Sequence, residues 1–252
     1  MVDSPDKQHD VSRIVAEIQA CGYCIVPSVI APEKADEARA ALERLLAEEI
    51  TDERRAAKTQ RVGGIAYKHP IFAELLELPL IVKIWQTFLD DDDIVCSTWS
   101  ANTSYPGYND YHWHADYPYW WINQPWPLDK VCGQTILMLD DFSEENGGTG
   151  FVPNSHMKGH MPPAEWKTQW PAEAQILTGL RGSALVFHGA LWHSARPNRS
   201  DKARSALLGM YTRPFFLQME DMLSQLARIE NPSDMLRQLM GAKRYQPSIV
   251  GA

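Results

Sequence analysis

The pattern of apolar residues changes at Ile94, and this change constrains the fold more than any other feature of the sequence. From that residue onward, short apolar and β-branched runs are separated by Gly, Pro and Asn. Regularly spaced short runs of this kind are typical of a β-sandwich or β-barrel. We therefore expect one β core over about residues 94–217, with strands at 94–102, 111–117, 133–140, 149–152, 183–188, 191–195 and 204–214.

Helical periodicity is found on both sides of this core. Apolar residues recur at helical spacing from Val11 to Ile18, and Gly22 stands where the C-terminal cap of that helix is expected. The polar segment 51–61 is predicted to be mobile. The remaining helices are predicted at 32–50, at 70–89 with a break at Pro79, and from an N-cap at Ser233 to about Gly241.

Composition indicates a globular protein and excludes several functions. Charged side chains give a formal net charge of 24 − 32 = −8, whereas a nucleic-acid-binding surface needs a basic stripe. No run of 18 apolar residues is found, so we expect no membrane span. Residues 1–10 carry no signal-peptide core, and four cysteines make no disulfide scaffold, so we expect a cytoplasmic protein. We predict a single domain over 1–252, with helical segments at 11–89 and 218–242 around the core.

Residues 111–116, with the sequence Tyr-His-Trp-His-Ala-Asp, carry the densest chemistry of the chain. In a β-strand, residues i and i+2 point to the same face, so His114 and Asp116 project together. A third ligand must come from another strand, and His193 is the best candidate. Two histidines and one carboxylate on one face form the facial triad of non-haem Fe(II) oxygenases, which leaves coordination positions open.

Arg204 follows His193 by eleven residues, and its spacing allows two interpretations. A 2-oxo acid that chelates iron through its keto-carboxylate end must have its other carboxylate held, and arginine captures carboxylates with two parallel hydrogen bonds. If strands 191–195 and 204–210 are adjacent and antiparallel, Arg204 points into the same barrel as His193. A surface ion pair with Asp201 is the alternative.

Together these residues resemble the phytanoyl-CoA dioxygenase family of Fe(II)- and 2-oxoglutarate-dependent oxygenases. The resemblance covers roughly residues 11–217. It implies a mainly β fold, namely a double-stranded β-helix of the jelly-roll or cupin-like kind, flanked by N- and C-terminal helices. It also implies Fe(II) between the two sheets, 2-oxoglutarate as co-substrate, and O2. The matching motifs are His114-x-Asp116, His193-Ser-Ala-Arg-Pro-Asn198, Arg204, Gly22-Tyr-Cys-Ile-Val-Pro27, Glu144-Glu-Asn-Gly-Gly148 and Phe151-Val-Pro-Asn-Ser-His156.

The resemblance extends to two further contacts with the co-substrate. Asn102 is similar in placement to an asparagine that contacts 2-oxoglutarate in members like ectoine hydroxylase. The family often has a serine two residues after the distal histidine, whereas this chain has Ala195 there. Ser194, one position earlier, is therefore taken as the corresponding contact.

Several aromatic residues around the motif are candidates for contact with the substrate. Positions just past a ligand must lie near the metal, although packing in the core is the alternative for such residues. His112 and His114 also form an HxH pair of the cupin kind, but Pro118 and Tyr119 stand where that site needs a glutamate, so His112 is assigned to the pocket. Trp113 alternates away from the ligand face and is predicted to be in the core. The predicted substrate wall is His112, Tyr117, Tyr119, Trp120 and Trp121.

The resemblance implies an enzyme, a monomer or homodimer, that hydroxylates an unactivated C–H of a small molecule such as a natural product or an amino-acid-like compound. Succinate and CO2 would be released from 2-oxoglutarate. The same chemistry ending in desaturation or ring closure is an alternative, as is a cupin-type metal enzyme that does not use 2-oxoglutarate. The proline-rich segment 157–177 is either a lid over the site or a packed insertion.

Overall fold

The computed structural model describes residues 9–127 and 129–242 of the chain. The prediction of a polar N-terminus without a signal core concerns mainly residues 1–8, which lie outside the described residues. A single domain over 1–252 likewise stays a prediction. Within the described residues, no helix combines the length and the apolar character that crossing a membrane requires.

Two antiparallel sheets form the core. The larger has six strands in the order β1-β7-β4-β9-β3-β2, and the smaller has three in the order β6-β5-β8. About 21 % of the chain is in strands, so "mainly β" describes the core rather than the whole chain. The strands are β1 (Tyr23–Val26), β2 (Thr59–Val62), β3 (Val95–Ser104), β4 (Cys132–Met138), β5 (Gly150–Phe151), β6 (Gln175–Ile176), β7 (Ala184–His188), β8 (His193–Ser194) and β9 (Arg204–Thr212).

The helices lie where the sequence pattern places them, and the structure adds two more, at 52–57 and 222–226. Gly22 caps the first helix in the left-handed region at φ 95°, and Asp10 accepts hydrogen bonds from two amides at its N-terminus. The break at Pro79 is present because proline has no N–H to continue the preceding helix. The helices are α1 (Val11–Cys21), α2 (Pro32–Glu48), α3 (Asp52–Ala57), α4 (Pro70–Leu76), α5 (Pro79–Leu89), α6 (Met222–Leu226) and α7 (Asp234–Leu239).

The helix α5 packs directly on the larger sheet at a glycine. A Cβ at Gly133 would lie 2.1 Å from the ring of Trp85, which is fully buried. The indole Nε1 of Trp85 donates a hydrogen bond to Thr135 Oγ1 over 2.9 Å. Thr135 is two residues after Gly133 and on the same face of β4. The absence of a side chain at Gly133 therefore fixes how closely α5 approaches the sheet.

The structure differs from the sequence analysis in three places. The segment 111–117 is no strand, because its pairing partner β8 has only two residues and the ladder shrinks to a single bridge at His114. The segment 51–61, which was predicted to be mobile, contains α3 and most of β2. Strands 191–195 and 204–210 are not neighbours, since β8 pairs with β5 in the smaller sheet whereas β9 lies between β4 and β3 in the larger one.

The insertion 157–177 packs behind the segments that carry the predicted ligands. Trp113 and Trp192 each donate an indole hydrogen bond to it, to Gln169 O over 3.1 Å and to His160 O over 2.8 Å. Trp166 and Trp170 of the insertion pack against the same apolar cluster as these two tryptophans. None of the described residues that line the cavity between the sheets comes from 157–177. This arrangement supports the packed insertion rather than the lid.

Candidate metal centre

A cavity of about 380 Å³ lies between the two sheets and contains the predicted metal ligands. His114 and His193 are paired directly across from each other, with N···O distances of 3.0 and 2.9 Å between their backbones. Their rings are 4.2 Å apart between centroids. Asp116, two residues beyond His114, is positioned by its amide, which donates to Gly189 O over 2.9 Å. The backbone thus brings three ligand side chains into one corner of the cavity.

The three side chains present donor atoms at distances that suit one ion. Nε2 of His114 lies 3.6 Å from Asp116 Oδ1, and Nε2 of His193 lies 3.7 Å from Asp116 Oδ2. One donor atom from each residue can be chosen so that all lie within 4.8 Å of one another. Two donors bound to one ion at about 2.0–2.2 Å lie at most about 4.4 Å apart. The two measured separations are therefore within reach of a shared metal.

Backbone carbonyls fix which imidazole nitrogen faces the cavity. Nδ1 of His114 bonds to His112 O over 2.7 Å, and Nδ1 of His193 bonds to Leu191 O over 3.0 Å. A carbonyl oxygen only accepts, so each Nδ1 carries the proton and each Nε2 keeps its lone pair. Such a hydrogen bond on the far side of the ring is the usual support of a metal-binding histidine.

The electrostatics of the site fit a bound cation. Burial, followed by repulsion from His193, holds the pKa of His114 well below its ordinary value, so the ring is neutral and free to bind metal. Burial raises the pKa of Asp116, although His193, Gln134 and Arg61 oppose the shift. Asp116 Oδ2 is buried without a hydrogen-bond partner. A divalent cation would satisfy this oxygen, and the donor set of two imidazoles and a carboxylate is one that iron accepts.

Arg204 enters the same cavity from the larger sheet. Its side chain is almost fully buried, at 4 % exposure, and its guanidinium lies over the ring of Phe142 at 4.5 Å. Its Nε has no hydrogen-bond partner, and burial lowers the pKa of Arg204 to about 10, so it stays charged at neutral pH. Among the described residues, no carboxylate lies within ion-pair distance of it, so the alternative of a surface ion pair with Asp201 was wrong. A buried, unpaired cation in a cavity fits an anionic ligand.

The family of the chain follows from a comparison of its sequence with known families. The family model for phytanoyl-CoA dioxygenase (PhyH) matches residues 18–206, about three quarters of the chain. The chain belongs to the phytanoyl-CoA dioxygenase family. It is an oxygenase of the class that uses iron and 2-oxoglutarate, as the resemblance implied.

Similar proteins agree with this family, and a similar solved structure agrees with its fold. Dioxygenase andF of Emericella variicolor is 33 % identical over 54 % of this chain, and the match spans 47 % of that protein. Ectoine dioxygenase of Nocardia farcinica is 26 % identical over 73 % of this chain and 72 % of its own length. The epimerase SnoN, solved with Fe3+, alpha-ketoglutarate and nogalamycin RO, is similar with a TM-score of 0.67 and 19 % identity, covering 84 % of this chain and 85 % of that one. This structural likeness supports the double-stranded β-helix.

The other residues predicted from family resemblance or chain position fall into two groups. Asn102, His112, Tyr117 and Trp120 line the cavity, as expected. The remaining three do not. Ser194 is fully buried, and its Oγ accepts from His112 N and donates to Ala195 O, so it holds the backbone together. Tyr119 is in the core at 1 % exposure, and Trp121 is 80 % exposed outside the cavity wall. The 3₁₀ turn at 119–121 rotates successive side chains to different sides, which a strand-like reading could not anticipate.

Sequence reasoning missed other residues of the cavity wall, among them Arg61, Gln134 and Met219. Gln134 lies on β4, a strand that was predicted, and simple alternation along that strand identifies its inward side. Arg61 lies in a segment that was predicted to be mobile. The structure buries Gln60 and Val62 and exposes Arg61, but because a polar glutamine takes one of the two buried positions, the sequence shows no apolar alternation that would mark this edge strand.

Proposed function

We propose that the protein hydroxylates an unactivated C–H bond of a small organic molecule, a natural product or amino-acid-like compound, while 2-oxoglutarate and O2 are consumed and succinate and CO2 are released. The observation that carries this proposal is Arg204, a buried cation without a described partner in the cavity of the His114, Asp116 and His193 cluster. A cupin-type enzyme without an oxo-acid co-substrate has no need for such a cation. A metal-free binding module has no need for the cluster.

Each residue has a distinct role in the proposal. His114, Asp116 and His193 would hold Fe(II), which activates O2 when bound and leaves positions for a chelating co-substrate. Arg204 would pair with the distal carboxylate of 2-oxoglutarate, and Asn102 would contact the same molecule from β3. Phe187, Leu208 and Met210 add apolar wall between these groups, which excludes water and strengthens the charge interactions.

Other outcomes of the same chemistry share these roles. Desaturation and ring closure both begin with removal of a hydrogen from an unactivated carbon. SnoN, which has the same fold at low sequence identity, is named an epimerase. Asp116 argues against halogenation, because it keeps the third ligand position that halogenases of this kind leave free for chloride. The primary substrate is proposed to be a small molecule that fits the 380 Å³ cavity together with 2-oxoglutarate.

The proposal is tested by an anaerobic titration of the Fe(II)-loaded protein with 2-oxoglutarate, followed by the charge-transfer absorbance of the chelate. Arg204→Ala leaves the distal carboxylate unpaired, which costs about 2–5 kcal/mol, or about 30- to 4,000-fold in apparent affinity. Arg204→Lys should restore part of the affinity, because the charge remains but the two parallel hydrogen bonds do not. Iron binding should not change.

Arg196→Ala is the matched control. Arg196 is also a buried arginine with an unpartnered Nε, but its guanidinium lies over the Trp170 ring at 4.6 Å, away from the cavity. We expect its titration curve to equal that of the wild type. Identical curves for wild type and Arg204→Ala would remove Arg204 from the site and favour a metal enzyme that does not use 2-oxoglutarate.

A further inference from the structure

A second cation lines the metal cavity, and the roles proposed above do not use it. Arg61 lies on the edge strand β2, opposite Asn102 of β3. Its Nε donates to Ser100 Oγ over 3.1 Å. Within the described part of the chain, no acidic side chain comes within ion-pair distance of it. Unlike Arg204, Arg61 is exposed, so its free N–H groups are at the mouth of the cavity.

The two arginines approach the cavity from different points along β3. Arg204 pairs with Ser104 in the ladder of β3 and β9, whereas the Arg61 side chain reaches Ser100, four residues along the same strand. Four residues of a strand span about 13 Å. In the proposed function, 2-oxoglutarate has one carboxylate on the metal and the other on Arg204. Arg61 is therefore left for an anion of a different molecule.

Exposed apolar side chains lie on two segments that contribute to the wall of the cavity that Arg61 lines. Five large side chains are strongly exposed on these segments, with Leu217 at 82 % and Phe215 at 69 %. Two of them, Trp120 and Met219, also line the cavity, so the exposed surface continues into the site. We call this surface the mouth rim: Trp120, Trp121, Phe215, Leu217 and Met219.

Hydrogen bonds hold both segments of the mouth rim in place. Tyr117 Oη donates to Leu217 O over 3.0 Å and so joins the segment after the ligands to the segment after β9. The amide of Met219 donates to Ser97 Oγ over 3.0 Å, and Thr98 Oγ1 donates to Glu220 Oε1 over 2.6 Å. Large apolar side chains exposed on a fixed backbone mark a binding surface rather than a disordered end.

We infer that the primary substrate is an apolar molecule with one anionic group, whose anion pairs with Arg61 and whose apolar body lies on the mouth rim. This inference rests on the proposed function, because the target C–H must then reach the metal ligands between these two contacts. Arg61 would be a specificity-determining residue. Arginine is suited to this role because its planar group offers paired donors to a carboxylate, sulfonate or phosphate.

Two dyes that differ in one group test the inference. Anilinonaphthalene sulfonate carries an aromatic body and an anion, and phenylnaphthylamine has the same body without the anion. Both are titrated by fluorescence, under anaerobic conditions, into protein that holds Fe(II) and 2-oxoglutarate. Arg61→Gln should lower the affinity for the sulfonate dye about tenfold, as expected for a charge-assisted contact. The affinity for the neutral dye should not change. Arg61→Lys should restore part of the loss.

Two further variants complete the experiment. Leu217→Ser should weaken both dyes, because it removes apolar surface from the mouth rim. Arg44→Gln, on the exposed face of α2, is the matched control and should weaken neither. Equal loss of both dyes in Arg61→Gln, no loss of either, or no binding of the sulfonate dye to wild type would overturn the inference. A wild-type dimer that Leu217→Ser dissociates would assign the mouth rim to a second copy of the chain.

Failure of this inference can be told apart from failure of the proposed function. The charge-transfer absorbance of the 2-oxoglutarate complex is measured on the same Arg61→Gln sample. A 2-oxoglutarate titration curve equal to that of the wild type, together with weaker binding of the sulfonate dye, supports both proposals. A weakened 2-oxoglutarate curve would place Arg61 on the co-substrate and overturn the inference alone. A wild type that forms no such complex contradicts the proposed function, whatever the dyes do.

Discussion

At the scale of single residues, the metal centre is an unfavourable arrangement in the absence of a cation. Asp116 has one buried carboxylate oxygen without a partner, and burial raises its pKa. His114 next to it is held neutral, because burial and the neighbouring His193 lower its pKa. Among the described residues, Asp116 Oδ2 loses hydration without gaining a hydrogen bond, which costs folding free energy. The residues that can bind a metal therefore lower the stability of the metal-free protein.

This cost leads to a prediction for Asp116→Asn. Without metal, the variant should be more stable than wild type by about 1–3 kcal/mol, because an unpaired buried charge is replaced by a neutral amide. Iron-dependent succinate release should be abolished, since the anionic ligand is gone. Urea unfolding of the metal-free proteins and the succinate assay measure the two effects.

Asp201→Asn is the control for this prediction, because Asp201 is an exposed carboxylate near Arg204 in sequence. It should change neither quantity. Full activity in Asp116→Asn would mean that another carboxylate is the ligand. A loss of metal-free stability would mean that the protein already compensates the Asp116 charge.

Sequence reasoning found the site residues whose positions follow from short-range geometry. His114 and Asp116 are two residues apart, so any extended backbone presents them together, and this holds although the segment is only a single bridge. Tyr119 and Trp121 do not line the cavity, because a 3₁₀ turn begins directly after Pro118. Arg61 was missed because its partner across the ladder, Asn102, is forty-one residues away in sequence.

At the scale of elements, the insertion 157–177 supports the ligands from behind. Trp113 and Trp192 are each next to a predicted ligand in sequence, point away from the cavity and donate hydrogen bonds into the insertion. Trp113 packs against Trp166 and Trp170 at centroid distances of 5.9 and 5.4 Å. The insertion therefore restrains the backbone of both histidines without covering the site.

Limited proteolysis distinguishes this support from a lid. A lid is ordered by its ligands and becomes protected from cleavage, whereas a packed element does not change. We expect the rate of cleavage within 157–177 to be the same with and without Fe(II) and 2-oxoglutarate, as followed by mass spectrometry of the fragments. Slower cleavage in the presence of both ligands would identify the insertion as a lid.

The contact between α5 and β4 leads to a second prediction at this scale. Gly133→Ala places a methyl group 2.1 Å from the Trp85 ring, so the helix must shift or the ring must leave its place. Overpacking of this kind costs about 1–3 kcal/mol. Denaturant unfolding should show the loss. Gly63→Ala is a control for the cost of replacing glycine, because its backbone is outside the left-handed region and the nearest atom to a Cβ there is a carboxylate oxygen of Glu220 at 4.0 Å.

The elements that sequence reasoning found are those with local signals. The caps of α1 are residue types that favour those positions, Asp10 at its N-terminus and Gly22 at its C-terminus, and Pro79 marks the gap between α4 and α5. By contrast, β2 is four residues long at the edge of the sheet, and its polar neighbours hide its alternation. The pairing of β8 with β5 rather than with β9 depends on how the chain crosses between two sheets, which no short pattern encodes.

At the scale of the whole molecule, acid should unfold the metal-free protein through buried histidines. Burial, with help from His156 and Lys130, lowers the pKa of His188 to about 3. Its Nδ1 accepts a hydrogen bond from the amide of Ala190 over 3.0 Å, which protonation would break. The unfolded chain binds a proton near pH 6.5 and the folded chain does not, so stability is present above that pH and is lost as the pH falls.

The size of this effect can be measured with a variant that does not titrate. Between pH 6.5 and pH 4.5, His188 should account for a loss of about 2 kcal/mol in unfolding free energy. In His188→Asn, where the amide oxygen takes the place of Nδ1, the decrease over the same interval should be smaller by that amount. Urea unfolding of both proteins at the two pH values tests this. An equal decrease in both would show that other groups dominate the acid response.

The placement of Arg204 and the metal ligands on opposite sheets has a consequence for the end of each turnover. In the proposed complex, 2-oxoglutarate is attached to the smaller sheet through the metal and to the larger sheet through Arg204, so it crosslinks the two halves of the barrel. Its product, succinate, is one carbon shorter and lacks the keto oxygen that completes the chelate. Without that oxygen, succinate would not keep both attachments in the same way, so the reaction itself would break the crosslink. Because the co-substrate would be held from both sheets and its product would not, conversion to succinate would itself favour release.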